Sequence, residues 1–144
     1  RKVESLAPAK FRAWETKRSP GGRYDVEYLT AMALAARADP THDFFALTTA
    51  ERLDRIARHR LIDGKQANTC KSALQLYGVV EHLMELQEIT LPRSIEKHQS
   101  LSRYLDRTFA FLEVRAPGGA DKLLEQTKMR VRACYESMIR KLGE

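Results

Sequence analysis

A chain of 144 residues, of which 43% are hydrophobic and 31% charged, is long enough to bury the core of one water-soluble domain. No apolar run approaches the roughly 20 residues of a membrane span, and two cysteines, Cys70 and Cys134, are too few for a disulfide framework. The net charge of +6 suggests an anionic partner, but acids are interleaved with the basic residues, which favours a solvated surface for most of them. A reducing cytoplasm is the simplest setting.

The N-terminal segment predicts the end of a helix, which Pro8 limits, followed by two aromatic anchors, Phe11 and Trp14. For Trp14, the only tryptophan, packing in the core is favoured over stacking on a nucleotide base. The sequence therefore predicts that these aromatic residues hold the next segment against the domain.

Residues 17–27, which we call the Gly-Gly segment, read Lys-Arg-Ser-Pro-Gly-Gly-Arg-Tyr-Asp-Val-Glu. Pro20 fixes one backbone angle, while Gly21 and Gly22 allow conformations that other residues avoid, so a tight turn that begins a helix is predicted. Backbone N–H groups at a helix start suit an anion such as a phosphate, and a basic surface turn is the equally weighted alternative. The cations beside the turn are Lys17, Arg18 and Arg23.

The first predicted helix covers residues 25–38, which are rich in Ala, Leu and Met and are followed by Asp39-Pro40. It has two apolar faces, and we therefore expect it to be buried on several sides. The faces consist of Val26, Leu29, Ala33 and Ala36, and of Tyr28, Met32 and Ala35.

Two capping boxes, Thr48 to Glu51 and Asp63 to Gln66, predict the next two helix starts. The first helix is expected to end at about residue 60 and the second, the longest, at about residue 88. Their inward positions are Leu53, Ile56 and Ala57, and then Ala67, Cys70, Leu74, Tyr77, Val80 or Glu81, and Met84.

The C-terminal part predicts two more helices, over residues 94–106 and 121–142, which are separated by a break at 116–119. Phe109, Phe111 and Leu112 are expected to form a short apolar plug after the first of them. No run alternates as a strand does, so the predicted fold is an all-α bundle of about five helices with short loops. The inward residues are Ile95, His98, Leu101 and Leu105, and then Leu124, Thr127, Val131, Cys134, Tyr135, Met138 and Leu142.

Residues for catalysis are not evident. Asp25 and Glu27 have the spacing of an Asp-x-Asp metal pair, but on a helix residues i and i+2 point about 200° apart, so the two could not grip one ion. Both suit a helix start, where an acid can also accept from the backbone of the turn; orienting Lys17 or Arg18 toward a nucleotide is the alternative. The remaining candidates lack metal-ligand spacing or fall on inward faces: His42, His59, His82, His98, Cys70 and Cys134.

The Gly-Gly segment resembles the Lys-x-Gly-x-Gly-Gly-x-x-Asp-Ile-Glu-Phe signature of glutamine synthetase adenylyltransferases (glutamate–ammonia ligase adenylyltransferases). The related uridylyltransferases that modify the PII signal protein carry a looser version. The matching residues are Lys17, Gly21, Gly22, Asp25 and Glu27, while Ser19, Val26 and Tyr28 stand for Gly, Ile and the aromatic residue.

Weaker similarity to this family continues along the chain. Residues 59–62 resemble a Gly-Leu-Leu turn, and residues 131–135 resemble the Val-Arg stretch of the closing helix. Val79 and Val80 depart from the family, because arginines usually stand there. Further matching residues are Glu81, Leu86-Gln87 and Leu91-Pro92.

The resemblance implies that residues 1–144 form one helical domain of a larger nucleotidyltransferase and pack on its catalytic domain. ATP and Mg²⁺ would be cofactors of the intact enzyme, with glutamine synthetase and the PII signal protein as partners, and this chain alone would be inactive. The implied nucleotide- or phosphate-facing residues are Lys17, Arg18, Gly21, Gly22, Asp25 and Glu27, with Glu81 and Gln87 as supporting residues.

Two other functions remain open at this point. One is a regulatory or protein-binding helical module that has no enzymatic parent. The other, less favoured, is a basic nucleic-acid-binding domain that uses Arg52, Arg55 and Arg58. The sequence leaves the acceptor, the nucleotide preference and the direction of transfer undecided.

Overall fold

The structure is a computed structural model, and it describes residues 13–36, 46–87 and 95–143. These ranges contain no strand. Their helices are α1 (Arg23–Ala36), α2 (Thr49–Arg58), α3 (Gly64–Leu86), α4 (Ile95–Phe111) and α5 (Gly119–Gly143). The predicted all-α bundle is confirmed. The predictions for Pro8, Phe11, Asp39-Pro40, His42 and Leu91-Pro92, and for the side chains of Ile95 and His98, lie outside the described residues.

The two longest helices, α3 and α5, run antiparallel through the bundle. Lys141 Nζ donates to the carbonyl oxygen of Leu61 at 3.4 Å, just before α3 begins. Further along, Cys70 contacts Cys134, so residue numbers rise along α3 while they fall along α5. Helix α1 packs on α5, α2 and α3, and α4 packs on α5 and α3.

Both predicted capping boxes are confirmed. The Thr48 hydroxyl accepts from the Glu51 N–H at 3.3 Å, and the Glu51 carboxylate accepts from the Thr48 N–H at 2.7 Å. Asp63 and Gln66 make the same exchange at 2.7 and 3.0 Å. Each pair satisfies backbone donors that the helix leaves unbonded, which is why a pattern of four residues suffices to place these starts.

Two helix ends use a left-handed residue that is not glycine. After α2, Arg60 has φ 59°, its N–H donates to Ala57 at 2.9 Å, and the Leu61 N–H donates to Ile56 at 3.1 Å. After α4, Glu113 has φ 56°. These bonds define Schellman ends, in which glycine is the usual residue at the left-handed position.

The core lies between the inward stripes of all five helices. The predicted inward positions Leu53, Ile56 and Val131 are fully buried. Other fully buried apolar side chains are Val26, Leu29, Cys70, Tyr77, Val80, Leu101, Leu105, Leu124 and Met138.

The expectation that α1 would be buried on several sides is wrong. Tyr28 is 59% exposed and Met32 is 37% exposed, and Tyr24 lies on the same side of the helix, one turn before Tyr28. Only the face of α1 that meets α2, α3 and α5 is buried. Its second apolar face therefore lies on the surface, and Ala35 and Ala36 are exposed as well.

The predicted apolar plug after α4 is also wrong for two of its three members. Helix α4 continues to Phe111, and residues two positions apart on a helix point in nearly opposite directions. Phe109 is therefore buried while Phe111 is 86% exposed, and Leu112 is exposed beside it.

None of the helices within the described ranges combines the length and apolarity that are required to cross a membrane.

Candidate functional site

The turn of the Gly-Gly segment lies directly against α5, and both of its glycines are required by close contacts, with Gly21 required by its conformation as well. Gly21 has φ +78°, and a Cβ atom there would lie 2.0 Å from the carbonyl oxygen of Lys128. A Cβ atom on Gly22 would lie 2.7 Å from the carbonyl oxygen of Thr16. A larger residue at position 21 would force the turn away from α5, and one at position 22 would clash with carbonyl groups of the turn itself.

The backbone donors of this turn are already used within the chain. The N–H groups of Gly22, Arg23 and Tyr24 donate to the carbonyl oxygens of Ser19, Thr16 and Lys17 at 2.7–3.0 Å. The N–H groups of Lys17 and Arg18 both donate to a Glu15 carboxylate oxygen, at 3.2 and 3.1 Å. An anion at this site would therefore have to be bound through side chains.

Asp25 occupies the position at the start of α1 where an external anion would sit. Its Oδ2 accepts from the Gly21 N–H at 2.7 Å and from Arg132 Nη1 on α5 at 3.1 Å. The expected bond between an acid and the backbone of the turn is thus observed. The Glu27 carboxylate shares neither partner, so the two acids of the segment do not act on one group.

Lys17 and Arg18 are the outward-facing members of the segment. Both side chains are exposed, and neither makes an ion pair with a residue in the described part of the chain. The turn beneath them is held by α1, α3 and α5, so its backbone is fixed while the two cations face solvent. This arrangement can bind an anion by charge, but it offers no nucleophile or general base.

Arg23 is not available to the same ligand, because Glu81 on α3 binds it. The two Glu81 oxygens accept from Arg23 Nε at 3.3 Å and from Nη2 at 3.2 Å, and one of them also accepts from the Thr16 hydroxyl at 2.9 Å. Glu81 therefore supports the Gly-Gly segment from beneath. Gln87 lies at the exposed end of α3 and contributes no hydrogen bond to the segment.

Val80 is fully buried and Val79 is half-buried. At these two positions the adenylyltransferase family that the sequence resembles usually has arginine. At these positions this chain uses apolar packing, so neither valine can pair with Glu81. Glu81 is instead bonded by Arg23 at the start of α1 and by Thr16 in the segment before it.

Lys128 is a buried residue of this site that the sequence analysis did not single out. Its Nζ donates to the Glu15 carbonyl oxygen at 2.7 Å and to the Ser19 hydroxyl at 2.6 Å. Burial lowers its pKa to about 8, against the opposing influence of Glu15 and Glu125. The available signal was its place on the apolar stripe of α5, four residues after Leu124.

Trp14 anchors the other end of the turn. It is 2% exposed, and its indole N–H donates to Asp121 Oδ1 at the start of α5 over 2.6 Å. Packing in the core is thus the observed role, and its ring presents no free face to a nucleotide base.

Other chemistry is sparse in the described ranges. They contain no group of three His, Cys, Asp or Glu residues that could hold a metal ion. Cys70 and Cys134 are buried, and contact with Cys134 together with burial raises the pKa of the Cys70 thiol, as expected for core thiols.

The arginines of α2 do not form one free basic stripe. Arg58 is exposed, whereas Arg52 and Arg55 are half-buried and have interaction partners. This arrangement does not favour the nucleic-acid alternative, which needs a continuous basic surface.

Comparisons with protein-family models, curated proteins and solved structures give no significant match for this chain.

Proposed function

We propose that this chain is the helical accessory domain of a nucleotidyltransferase that resembles glutamine synthetase adenylyltransferases. The observation that carries the proposal is the Gly-Gly segment. A Cβ atom at Gly21 or Gly22 would clash with neighbouring backbone, and Asp25 accepts from the Gly21 N–H. Lys17 and Arg18 face outward without ion-pair partners in the described ranges. A turn this closely fixed, with two cations on its outer side, suits a phosphate group that a neighbouring domain holds.

A second feature supports the resemblance. Residues 59–62 are the part of the chain that resembles a Gly-Leu-Leu turn, and Arg60 in this turn has φ 59°. That conformation is the one in which glycine is favoured. The backbone of this chain thus has the geometry that a glycine-containing turn would have, although an arginine occupies it.

In this proposal, this chain and the adjoining domain bind different parts of the nucleotide complex. Lys17 and Arg18 fit the phosphates of ATP by charge, and this chain would bind and orient them from one side. The described residues offer no carboxylate cluster for Mg²⁺, so the metal and the base pocket belong to the nucleotidyltransferase domain. Glutamine synthetase and the PII signal protein follow from the resemblance as parts of the same proposal, and the small number of cysteines favours a cytoplasmic setting.

The exposed side of α1 is the surface on which the adjoining domain would pack. Tyr24, Tyr28 and Met32 recur at helical spacing on it, and the first two rings meet edge to face at 6.3 Å. Tyr24 is also bonded through its N–H to Lys17. The apolar face is therefore continuous with the two cations, as a domain contact beside a ligand site requires.

The same face favours the alternative that the chain is a protein-binding helical module without an enzymatic parent. Exposed aromatic residues are enriched at protein interfaces in either case. The two functions differ in whether Lys17 and Arg18 act on a nucleotide.

The test compares the chain alone with the same chain joined to the nucleotidyltransferase domain. Each is incubated with ATP, Mg²⁺ and glutamine synthetase, and the mass of the acceptor, glutamine synthetase, is measured by mass spectrometry. We expect adenylylation, or its removal from modified acceptor, only with the joined protein. Activity of this chain alone, or inactivity of both forms toward nucleotide and acceptor, would contradict the proposal.

A further inference from the structure

A groove of about 850 Å³ runs along the side of the bundle where α3, α5 and the end of α4 meet. Its apolar lining includes Leu76 and Val79 from α3, Phe109 from α4 and Leu123 from α5. None of the described residues that line the groove belongs to the Gly-Gly segment. The groove is therefore a separate feature of the surface and does not depend on the proposed function.

The charged side chains that line the groove have one sign. Lys65 and Arg130 are the charged side chains among the described residues that line it, and no acid is found among them. Both are exposed, and neither forms an ion pair within the described ranges. A ligand with an apolar body and an anionic group would therefore complement both the lining and the charge.

The dimensions suit a small ligand. The α3 lining extends from Lys65 to Val79, which at about 1.5 Å per residue is a length on the order of 20 Å. The volume lies within the range of about 300–1,000 Å³ that is typical of small-molecule sites. An α-helix is about 10–12 Å wide with its side chains, so a partner helix of that length would fit only in part.

Leu112 and Val114 form an exposed apolar edge of the same groove. They flank Glu113, whose left-handed conformation ends α4. Polar side chains of α3, among them Asn68, Ser72 and Gln75, line the opposite edge. An apolar lining with a few polar groups at its edge is the usual composition of a ligand site.

We propose that this groove binds a small amphipathic anion, that is, a hydrocarbon chain or apolar ring body carrying a carboxylate or phosphate. The apolar body lies on Leu76, Val79, Phe109 and Leu123, and Lys65 or Arg130 binds the anionic group. Any catalytic step is outside the proposal.

The test uses dodecanoate, below its micelle concentration, as the probe and dodecylammonium as a probe of equal chain length and opposite charge. Binding to the full 144-residue chain is measured by titration calorimetry, and the site is identified from methyl NMR shifts. We expect one saturable site for dodecanoate, affinity at least about tenfold weaker for dodecylammonium, and shifts confined to methyl groups of the groove, namely those of Leu76, Val79, Leu112, Val114 and Leu123 and of the lining alanine and threonine residues.

Variants separate this site from general charge attraction. The pair Lys65→Glu and Arg130→Glu should weaken dodecanoate binding by about tenfold or more, while the pair Arg103→Glu and Arg107→Glu, with the same change in charge on exposed positions of α4, should not. Ser72→Trp, which fills the groove from an exposed position, should abolish binding. Thermal melts check that each variant is folded.

Several results would overturn the proposal: no saturable binding, equal affinity for the two probes, equal weakening by both charge-reversal pairs, or NMR shifts elsewhere in the bundle. If an acidic amphipathic helical peptide shifted the groove methyl groups while dodecanoate did not, the occupant would be a protein segment, and the small-ligand proposal would be wrong.

Discussion

The hydroxyl of Tyr77 in α3 donates a hydrogen bond to the carbonyl oxygen of Gly21 at 2.6 Å, and both groups are buried. This bond connects the long central helix to the turn of the Gly-Gly segment, 56 positions away in the sequence. On its other side, Gly21 lies against the backbone of Lys128. The turn is therefore held between α3 and α5, and its geometry depends on contacts that are distant in sequence.

Tyr77→Phe should lower the free energy of unfolding by about 1–3 kcal/mol, because the buried carbonyl group of Gly21 would lose its partner. The loss is measured by urea denaturation. Tyr104→Phe, at an exposed position of α4, is the matched control and should change stability by less than about 0.5 kcal/mol. Equal effects of the two changes would show that the Tyr77 hydroxyl contributes no more than a surface hydroxyl.

Gly21→Ala and Gly78→Ala should shift stability in opposite directions. At Gly21 a Cβ atom combines a left-handed backbone with a clash against α5, and we expect a loss above about 3 kcal/mol. At Gly78, inside α3, a Cβ atom meets nothing within 4 Å, so alanine should raise stability by about 0.5–1 kcal/mol. Urea denaturation of both variants checks this ranking, and a mild effect at Gly21 would show that the turn can move.

Arg60→Gly should stabilise the protein, although it removes a side chain. The left-handed conformation of Arg60 costs a non-glycine residue about 1–2 kcal/mol, which glycine would avoid. Glycine also has more conformational freedom to lose on folding, which offsets part of this gain, so we expect a net stabilisation of about 0.5–1 kcal/mol. Arg58→Gly, within α2, should lose about 1 kcal/mol instead. A loss at Arg60 would indicate that its side chain stabilises the turn.

The pH dependence of the free energy of unfolding should show that the pKa of Lys128 is lowered in the folded protein. Burial lowers its pKa from 10.5 in the unfolded chain to about 8 in the folded protein, so between these values the unfolded state binds more protons and stability rises with pH. From pH 7.5 to 9 the wild type should gain about 1 kcal/mol relative to Lys128→Met. The difference between the two proteins removes contributions that they share, including that of Cys70. A constant difference over this range would show that Lys128 titrates normally.

The sequence predicted those features that depend on neighbouring residues. The capping boxes at Thr48 and Asp63 consist of bonds over three positions, and the inward stripe of α5 follows from helical spacing alone. The role of Asp25 toward the turn was likewise predictable, since Gly21 is four residues away. Local chemistry therefore placed the helices and the start of α1.

The features that were missed depend on which helix lies opposite. Tyr28 and Met32 form an apolar face that none of the described helices covers, and nothing in the spacing of α1 shows which of its two apolar faces meets the bundle. Lys128 was overlooked because a lysine is normally a surface residue, and its hydrogen bonds to the carbonyl of Glu15 and the hydroxyl of Ser19 help to make its burial tolerable. Phe111 was misplaced because α4 extends beyond its predicted end.

Lys17 and Arg18 should contribute to nucleotide transfer and not to stability. Replacing both by alanine should change the stability of the isolated chain by less than about 0.5 kcal/mol, because both side chains are exposed and lack ion-pair partners within the described ranges. In the proposed enzyme, in which a nucleotidyltransferase domain adjoins this chain, each single change should lower nucleotide transfer by about tenfold to a hundredfold, and the double change by about a hundredfold or more, since each charge-assisted phosphate contact contributes about 1.5–3 kcal/mol.

The matched control for this double variant is Arg103→Ala with Arg107→Ala, which removes two exposed cations from α4 and should leave transfer unchanged. Thermal melts of the isolated chain and initial rates of the joined protein, measured over a range of ATP concentrations, separate the two kinds of effect. Full activity of the Lys17 and Arg18 variant would show that the Gly-Gly segment only forms a turn. A large loss of stability in the isolated chain would show that these side chains hold the turn in place, and the nucleotide-facing role would then lose the observation on which it depends.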